Sequence, residues 1–351
     1  MKKIRTAILA ATGTVGQRMI QLLEGHPWFE VTAVAASDNS RGKPYRTAAH
    51  WLLESPIPAS VRDREVLGCD PDVECDLVLS TLPSPVAWDA EAAFARAGYP
   101  VISNASSHRM EADVPLLVPE INAAHVDAVG KQKARWGGKG FIVTNPNCST
   151  IGLVFPLAAL DRAFGLEAVH VVTMQALSGA GYPGVASLDA VDNVLPGIAG
   201  GDEDRKIETE PLKILGSWNG EAFDHRDFRV SAMTHRVNVR DGHLEACSVK
   251  LRQPASREQV ADVFRNFTSD IDDLGLPSAP KPALLVEDDI GRPQPRLDRD
   301  RAGGMAVVVG PVLECAVLDY KFRVLSHNTV RGAAGAAILN AELLYRRGLV
   351  G

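Results

Sequence analysis

The sequence predicts two units: a doubly wound α/β unit built on a parallel sheet, and an α+β unit with a mixed, largely antiparallel sheet. Three observations carry this. The first third of the chain alternates short apolar runs with stretches of helical periodicity. Its first strand runs directly into a glycine-bearing turn and a helix. The middle of the chain carries longer strand-like runs, two of them joined by the turn pair Asp241-Gly242. A length of 351 residues also exceeds what one hydrophobic core usually spans.

The elements follow in order. Ala7 to Ala11 is a continuous apolar run, as expected of a strand buried on both faces. Val15, Met19, Leu22 and Leu23 then share one helical face. Val31–Ala35, Asp76–Ser80 and Val101–Ser103 read as further strands, with a helical stretch after Pro85. This rhythm gives a parallel sheet of Rossmann type. Phe141–Thr144 is followed by the sharp loop Asn145-Pro146-Asn147-Cys148 and a helix from about Ser149. Strands follow at 167–177, about 229–240 and 243–252, and antiparallel pairing fits them. Residues 277–304 are rich in Pro, Gly and charge and read as an extended surface loop. The segment 328–347 is helical, with an Ala and Gly content suited to close packing.

Composition excludes several classes. Apolar content is 46% and charged content 23%, ordinary for a globular protein. A formal net charge of −6 argues against a nucleic-acid or anionic-membrane binder. No apolar run is long enough to span a membrane. The five cysteines (Cys69, Cys75, Cys148, Cys247 and Cys315) are odd in number and widely spaced. That pattern argues against a disulfide framework or a metal site and for a reducing cytoplasm.

Two local patterns carry chemistry. Ala10, Gly13 and Gly16 follow the first strand at three-residue spacing, with Ala10 where a first glycine is usual. Small residues there let the backbone turn tightly towards a pyrophosphate held at a helix N-terminus. At the end of the second strand, Ser37, Ser40, Arg41 and Lys43 could hold the 2′-phosphate of NADP, whereas Asp38 would accept from a 2′-hydroxyl. Cys148 sits between a strand and a helix start, where the helix dipole and free N–H groups favour thiolate. A thiolate there can attack a carbonyl carbon and form a thiohemiacetal or a thioester. The alternative for any free thiol is a structural, buried cysteine.

The motif Asn145-Pro146-Asn147-Cys148-Ser149-Thr150 resembles the nucleophile segment of aspartate-semialdehyde dehydrogenases, most nearly their archaeal and fungal branch. The resemblance extends through the segments 10–16, 104–109, 175–184, 236–243 and 328–335. It implies reduction of L-aspartyl 4-phosphate to L-aspartate 4-semialdehyde with NADPH and release of phosphate. Cys148 would be the nucleophile and His243 the general acid/base, with Gln175 orienting the carbonyl. Arg236 would grip the substrate α-carboxylate and Arg109 the phosphate. Lys206 would be a second phosphate cation, and Glu203 the partner of the substrate ammonium, with Asp202 and Asp204 competing for that role. Thr12, Gly13, Thr14 and Val15, then Ser37, Ser40 and Arg41, then Ser178, Gly179 and Asn328 would hold the cofactor. His327 stands where the family pattern suggests an aspartate. No metal is implied.

If Asp241-Gly242 closes a two-residue hairpin, Arg236 pairs with Cys247 and Arg240 with His243. A polar face holding Arg236 and His243 would then lie over an apolar face of Val237, Val239, Leu244 and Ala246. The expected division is a cofactor domain of residues 1–148 plus 328–351, and a catalytic and dimerisation domain of 149–327. The resemblance implies a homodimer or homotetramer. Two rivals remain at this level: a malonyl-CoA reductase or another acyl-CoA or acyl-phosphate reductase of the same fold, and a non-catalytic nucleotide-binding paralogue.

Overall fold

The computed structural model describes residues 2–351; Met1 lies outside the described residues. Two large sheets organise the chain. The first contains β1 (Ile4–Leu9), β2 (Phe29–Ala35), β3 (Val66–Leu67), β4 (Leu77–Ser80), β5 (Pro100–Ser103) and β6 (Phe141–Thr144). All pairings are parallel, in the order β3-β2-β1-β4-β5-β6, with the chain reversing direction of growth at β1. This is the Rossmann-like sheet that the strand–helix rhythm predicts. Alternate strand residues supply two separate cores. Ile8, Val34, Leu79, Ile102 and Val143 pack with Met19 and Ile20 of helix α1 (Thr14–Leu23). Ala7, Val78, Val101 and Ile142 pack on the other side with Phe94 and Ala95 of α2 (Ser84–Arg96).

Helix α3 (Thr150–Phe164) leads from β6 into the second sheet. There follow β7 (Leu166–Gln175), β8 (Leu195–Pro196), helix α4 (Asp202–Ile214) and a small β9–β10 pair (Ser217–Trp218, Phe223–Asp224). Then come β11 (Arg229–Arg236), β12 (His243–Leu251), helix α5 (Arg257–Arg265), β13 (Leu284–Val286), β14 (Val307–Val309), β15 (Leu313–Glu314) and β16 (Tyr320–Ser326). The order is β13-β14-β16-β12-β7-β11-β8, with β15 also on β16. One face buries Val169, Val171, Cys247, Val249 and Val324 against Ile151, Val154 and Phe155 of α3. The opposite face is open: His170, Met233 and Ala246 on it are exposed. The chain ends in a π-helical turn (Val330–Ala334) and α6 (Gly335–Arg346), whose Ile338 and Leu339 return to the first sheet.

Two expectations are overturned. Asp241-Gly242 does not close a hairpin between β11 and β12. Both strands flank β7, β11 in parallel and β12 antiparallel. The 237–242 loop instead crosses the end of β7, where Leu177 and Ser178 donate to the carbonyls of Val239 and Arg240. β7, a strand from earlier in the chain, has filled the position that local turn chemistry assigned to a neighbour. Consequently Arg236 pairs with Gln175, and the face carrying His243, Glu245 and Cys247 is the buried one. Second, 277–304 is not wholly a surface loop. Leu284–Val286 joins the sheet edge, and Asp298 is fully buried beside Arg292.

Candidate active site

The strand register places four side chains in a row. Arg236 lies opposite Gln175, His243 precedes the Leu244–Met174 pair, and His243 lies opposite Ser326. Arg236, Gln175, His243 and Ser326 therefore stand side by side on the buried face, at the ends of β11, β7, β12 and β16. All four are buried. Cys148, at the end of the loop between β6 and α3, meets this row: its Sγ lies 3.2 Å from His243 Nε2.

The loop is held by side chains that satisfy backbone groups at a helix start. Asn147 Oδ1 accepts from the N–H groups of Ser149 (2.9 Å) and Thr150 (3.3 Å). Asn145 donates to Asn104 Oδ1 at 2.9 Å, and Asn340 donates to Asn145 Oδ1. Asn147 thus consumes the helix N–H groups that were expected to favour a thiolate. Burial pushes the Cys148 thiol up to about 12, and the charge of Glu203 adds to the rise; Arg236 and Arg109 oppose it. In the ligand-free site these effects favour the thiol, against the helix dipole that favours the thiolate.

His243 has a defined proton. The Ala176 N–H donates to Nδ1 at 3.0 Å, so Nδ1 is an acceptor. A neutral ring then carries its proton on Nε2, facing the sulfur. Burial, with Arg236 and His327 nearby, holds the imidazole well below its ordinary range. An imidazolium would set Nδ1–H against the amide N–H. The arrangement therefore presents a hydrogen-bond donor to whatever occupies the sulfur side.

Two glycines permit the close packing. A Cβ on Gly332 would lie 2.9 Å from the Cys148 Cβ, and one on Gly179 would lie 2.7 Å from Arg236 Nη1 and 3.1 Å from His243 Cε1. The 177–180 turn thus lies directly over Arg236 and His243. Arg236 Nη1 donates to the Ala176 carbonyl at 2.8 Å, and burial lowers its pKa.

A crevice of about 320 Å³ opens between the two sheets, lined by Val15, Arg109, Cys148, Ser178, Gly179, Glu203, Lys206 and Asn328. Asn328 bridges Ser178 Oγ and the Gly242 N–H, both at 2.8 Å. Lys206 lies 2.8 Å from Asp202 and 3.6 Å from Glu203. Of the three acidic neighbours, Glu203 faces the crevice, Asp204 accepts from Thr234 on β11, and Asp202 pairs outward with Arg205. Gln175 lies beneath this surface, its amide near Thr173 and Arg236.

The dinucleotide candidates meet the same crevice from the first sheet. α1 begins without a side-chain cap, and Thr14 Oγ1 is buried without a partner. An uncapped helix start of this kind is a ready anion site. A Cβ on Gly16 would lie 2.7 Å from the Ala10 carbonyl oxygen, so the helix can approach the strand only as glycine. Ala10 itself adopts the left-handed region (φ 55°), where glycine is the unstrained residue. Thr12 and Gly13 complete that turn. Ser37, Ser40 and Arg41 sit apart, in the turn after β2, with Arg41 exposed 3.6 Å from Asp70. No cluster of three or more His, Cys, Asp or Glu side chains suited to a metal occurs among the described residues.

Comparison with known proteins decides the family. The semialdehyde dehydrogenase NAD-binding domain matches residues 5–129, and the semialdehyde dehydrogenase dimerisation domain matches 157–331. The chain belongs to the semialdehyde dehydrogenase family. An aspartate-semialdehyde dehydrogenase of Archaeoglobus fulgidus is 47% identical over 98% of each chain. That of Methanothermobacter thermautotrophicus is 48% identical over 97% of this chain and 99% of its own. The crystal structure of the Candida albicans enzyme with NADP superposes with a TM-score of 0.91 at 44% identity, covering 99% of this chain and 100% of the other.

In this semialdehyde dehydrogenase, sequence reading missed Asn147, Glu210 and Glu245. Asn147 had a signal, since an asparagine just before a helix is a capping residue. Glu210 sits in a mixed-charge helix that reads as solvated, yet it is buried. Glu245 alternates with His243 along β12, and only the register shows that both point inward.

Proposed function

We propose that this chain is an NADP-dependent aspartate-semialdehyde dehydrogenase that reduces L-aspartyl 4-phosphate and releases phosphate, reversibly, in the route to lysine, methionine and threonine. The observation that carries the reading is the Cys148–His243 pair at 3.2 Å, set in a crevice with Arg109 and beside Arg236. The named relatives favour it over an acyl-CoA reductase or a non-catalytic paralogue.

Arg236 would bind the substrate carboxylate through a two-pronged guanidinium contact, with Glu203 on the ammonium. Arg109 and Lys206 would receive the phosphate. The two arginines oppose burial of the thiolate, and His243 Nε2–H donates to it. Cys148 attacks the acyl carbon, its sulfur–carbon bond forms as its thiol proton passes to the departing phosphate, and the carbon–oxygen bond to phosphate breaks, leaving a thioester. Bound NADPH supplies the hydride that reduces the thioester. His243 then steadies the alkoxide oxygen and the departing sulfur as the thiohemiacetal collapses to aldehyde, and Gln175 orients the oxygen. Thr12, Gly13, Thr14 and Val15 support the pyrophosphate, Ser178, Gly179 and Asn328 the nicotinamide side, and Ser37, Ser40 and Arg41 the adenosine end.

Residues 1–148 with 328–351 serve as the cofactor domain, and 149–327 as the catalytic and dimerisation domain. The open sheet face around Met174, Val172, Met233 and Ala246 suits a second copy, giving a homodimer or homotetramer. Five free thiols suit the cytoplasm. The test is NADP reduction with aspartate semialdehyde: turnover that requires inorganic phosphate is expected. Activity confined to malonyl-CoA with NADPH would overturn the assignment.

A further inference from the structure

Helix α4 carries Glu203, Lys206, Glu210 and Lys213 at spacings of three and four, so they share one face. That face turns inward. Glu210 is 2% exposed, and Lys213 is fully buried. One Glu210 oxygen, Oε1, accepts from Arg109 Nη1 at 2.8 Å. The other, Oε2, accepts from the backbone N–H of Asn147 at 2.7 Å. One turn further on, Lys213 donates to the carbonyl oxygens of Arg109 (2.7 Å) and Glu111 (2.6 Å). Arg109 Nη2 donates to the Asn104 carbonyl at 2.7 Å. Both terminal nitrogens of the Arg109 guanidinium are thus tethered, while its buried Nε has no partner.

We propose that Glu210 is a positioning residue that fixes the phosphate-binding Arg109 relative to the Cys148 loop, one carboxylate oxygen on each. The inference rests on the roles given above to Arg109 and Cys148. A carboxylate is required because two separate donors converge and an amide offers one acceptor only. Burial of such a charge pair is a weak route to stability, since apolar residues of similar size often serve as well or better. A geometric function accounts for it: phosphate must approach the thioester carbon along a fixed line, and misplacement of about 1 Å can cost on the order of 100-fold in rate.

The test is a double-mutant cycle in the full-length enzyme, reading kcat/KM for inorganic phosphate in aldehyde oxidation, with Arg109→Gln and Glu210→Gln. Arg109→Gln is expected to cost about 100-fold in the parent enzyme and no more than about 10-fold in the Glu210→Gln background, because the pair acts as a unit. A merely structural Glu210 would lower the active fraction by the same factor in both backgrounds, so additive losses would overturn the proposal. No effect of Arg109→Gln in the parent would instead remove the phosphate role of Arg109, and the proposal with it. Should Glu210→Gln fail to fold, Glu210→Asp, too short to reach both donors, is put through the same cycle; additivity there overturns the proposal equally.

Discussion

At the scale of single residues, the site is governed by which donors are already used. Asn147 takes the first N–H groups of α3, and Ala176 takes Nδ1 of His243. Burial pushes the Cys148 thiol up to about 12. Alkylation of the ligand-free enzyme at Cys148 is therefore expected to be slow at pH 7 and to climb through pH 9 without levelling. A plateau near neutrality would show a stabilised thiolate instead. Arg236 makes a different prediction. Lysine keeps the charge but loses the fork, so Arg236→Lys is expected to raise the aldehyde KM by about 10-fold or more, with a smaller change in kcat. Steady-state kinetics with unchanged KM would remove the carboxylate role. The nucleophile was legible because its motif is contiguous: loop, cysteine and helix start lie within six residues. The state of its proton was not, because it depends first on burial and then on Glu203, Arg236 and Arg109, which come from elsewhere in the chain.

At the scale of elements, register decides what a strand presents. In β12, His243 and Glu245 share the inward face, with Glu245 lying between Thr173 and Val324. Both Glu245 oxygens lack a partner of sound hydrogen-bond geometry, though the nearby Ser149 hydroxyl favours the charged form. Burial holds the carboxyl well above its ordinary range and favours its neutral form. The sign follows from linkage: a raised folded pKa gives stability that is present below the unfolded value near 4.5 and lost as pH rises through the folded value. Glu245→Gln mimics the neutral acid and removes that loss. Its advantage over the parent in denaturant titrations is expected to grow as pH rises above the ordinary glutamate value. An advantage independent of pH would show that Glu245 does not titrate there. The β11–β12 arrangement was misread from sequence for a physical reason: turn chemistry reports neighbours along the chain, whereas β7 enters between them from a distant segment. The parallel sheet was legible because Ala7–Leu9, Val31–Ala35, Leu77–Ser80, Val101–Ser103 and Phe141–Thr144 are short, mainly apolar runs, a signal that needs no partner to be recognised; the two-residue strand Val66–Leu67 was too short to register.

At the scale of the whole molecule, two sheets meet at the crevice where β1, β6 and the start of α3 end beside the row on β7, β11 and β12. No helix among the described residues is long and apolar enough to cross a membrane. The second sheet leaves one face without a covering layer, and Met233 in its middle is 54% exposed. Met233→Asp is expected to shift sedimentation towards a monomer, since a charge buried between two apolar faces costs several kcal/mol. An unchanged assembly would place the interface elsewhere. The proposed reaction requires Cys148 to carry the acyl group. Intact-mass measurement after mixing enzyme, NADP and aspartate semialdehyde without phosphate tests it most directly. One acyl adduct per chain is expected on Cys148, discharged when phosphate is added, with none in a Cys148→Ala variant that still binds NADP. An adduct that persists in that variant, or turnover with no acyl-enzyme at all, would contradict it.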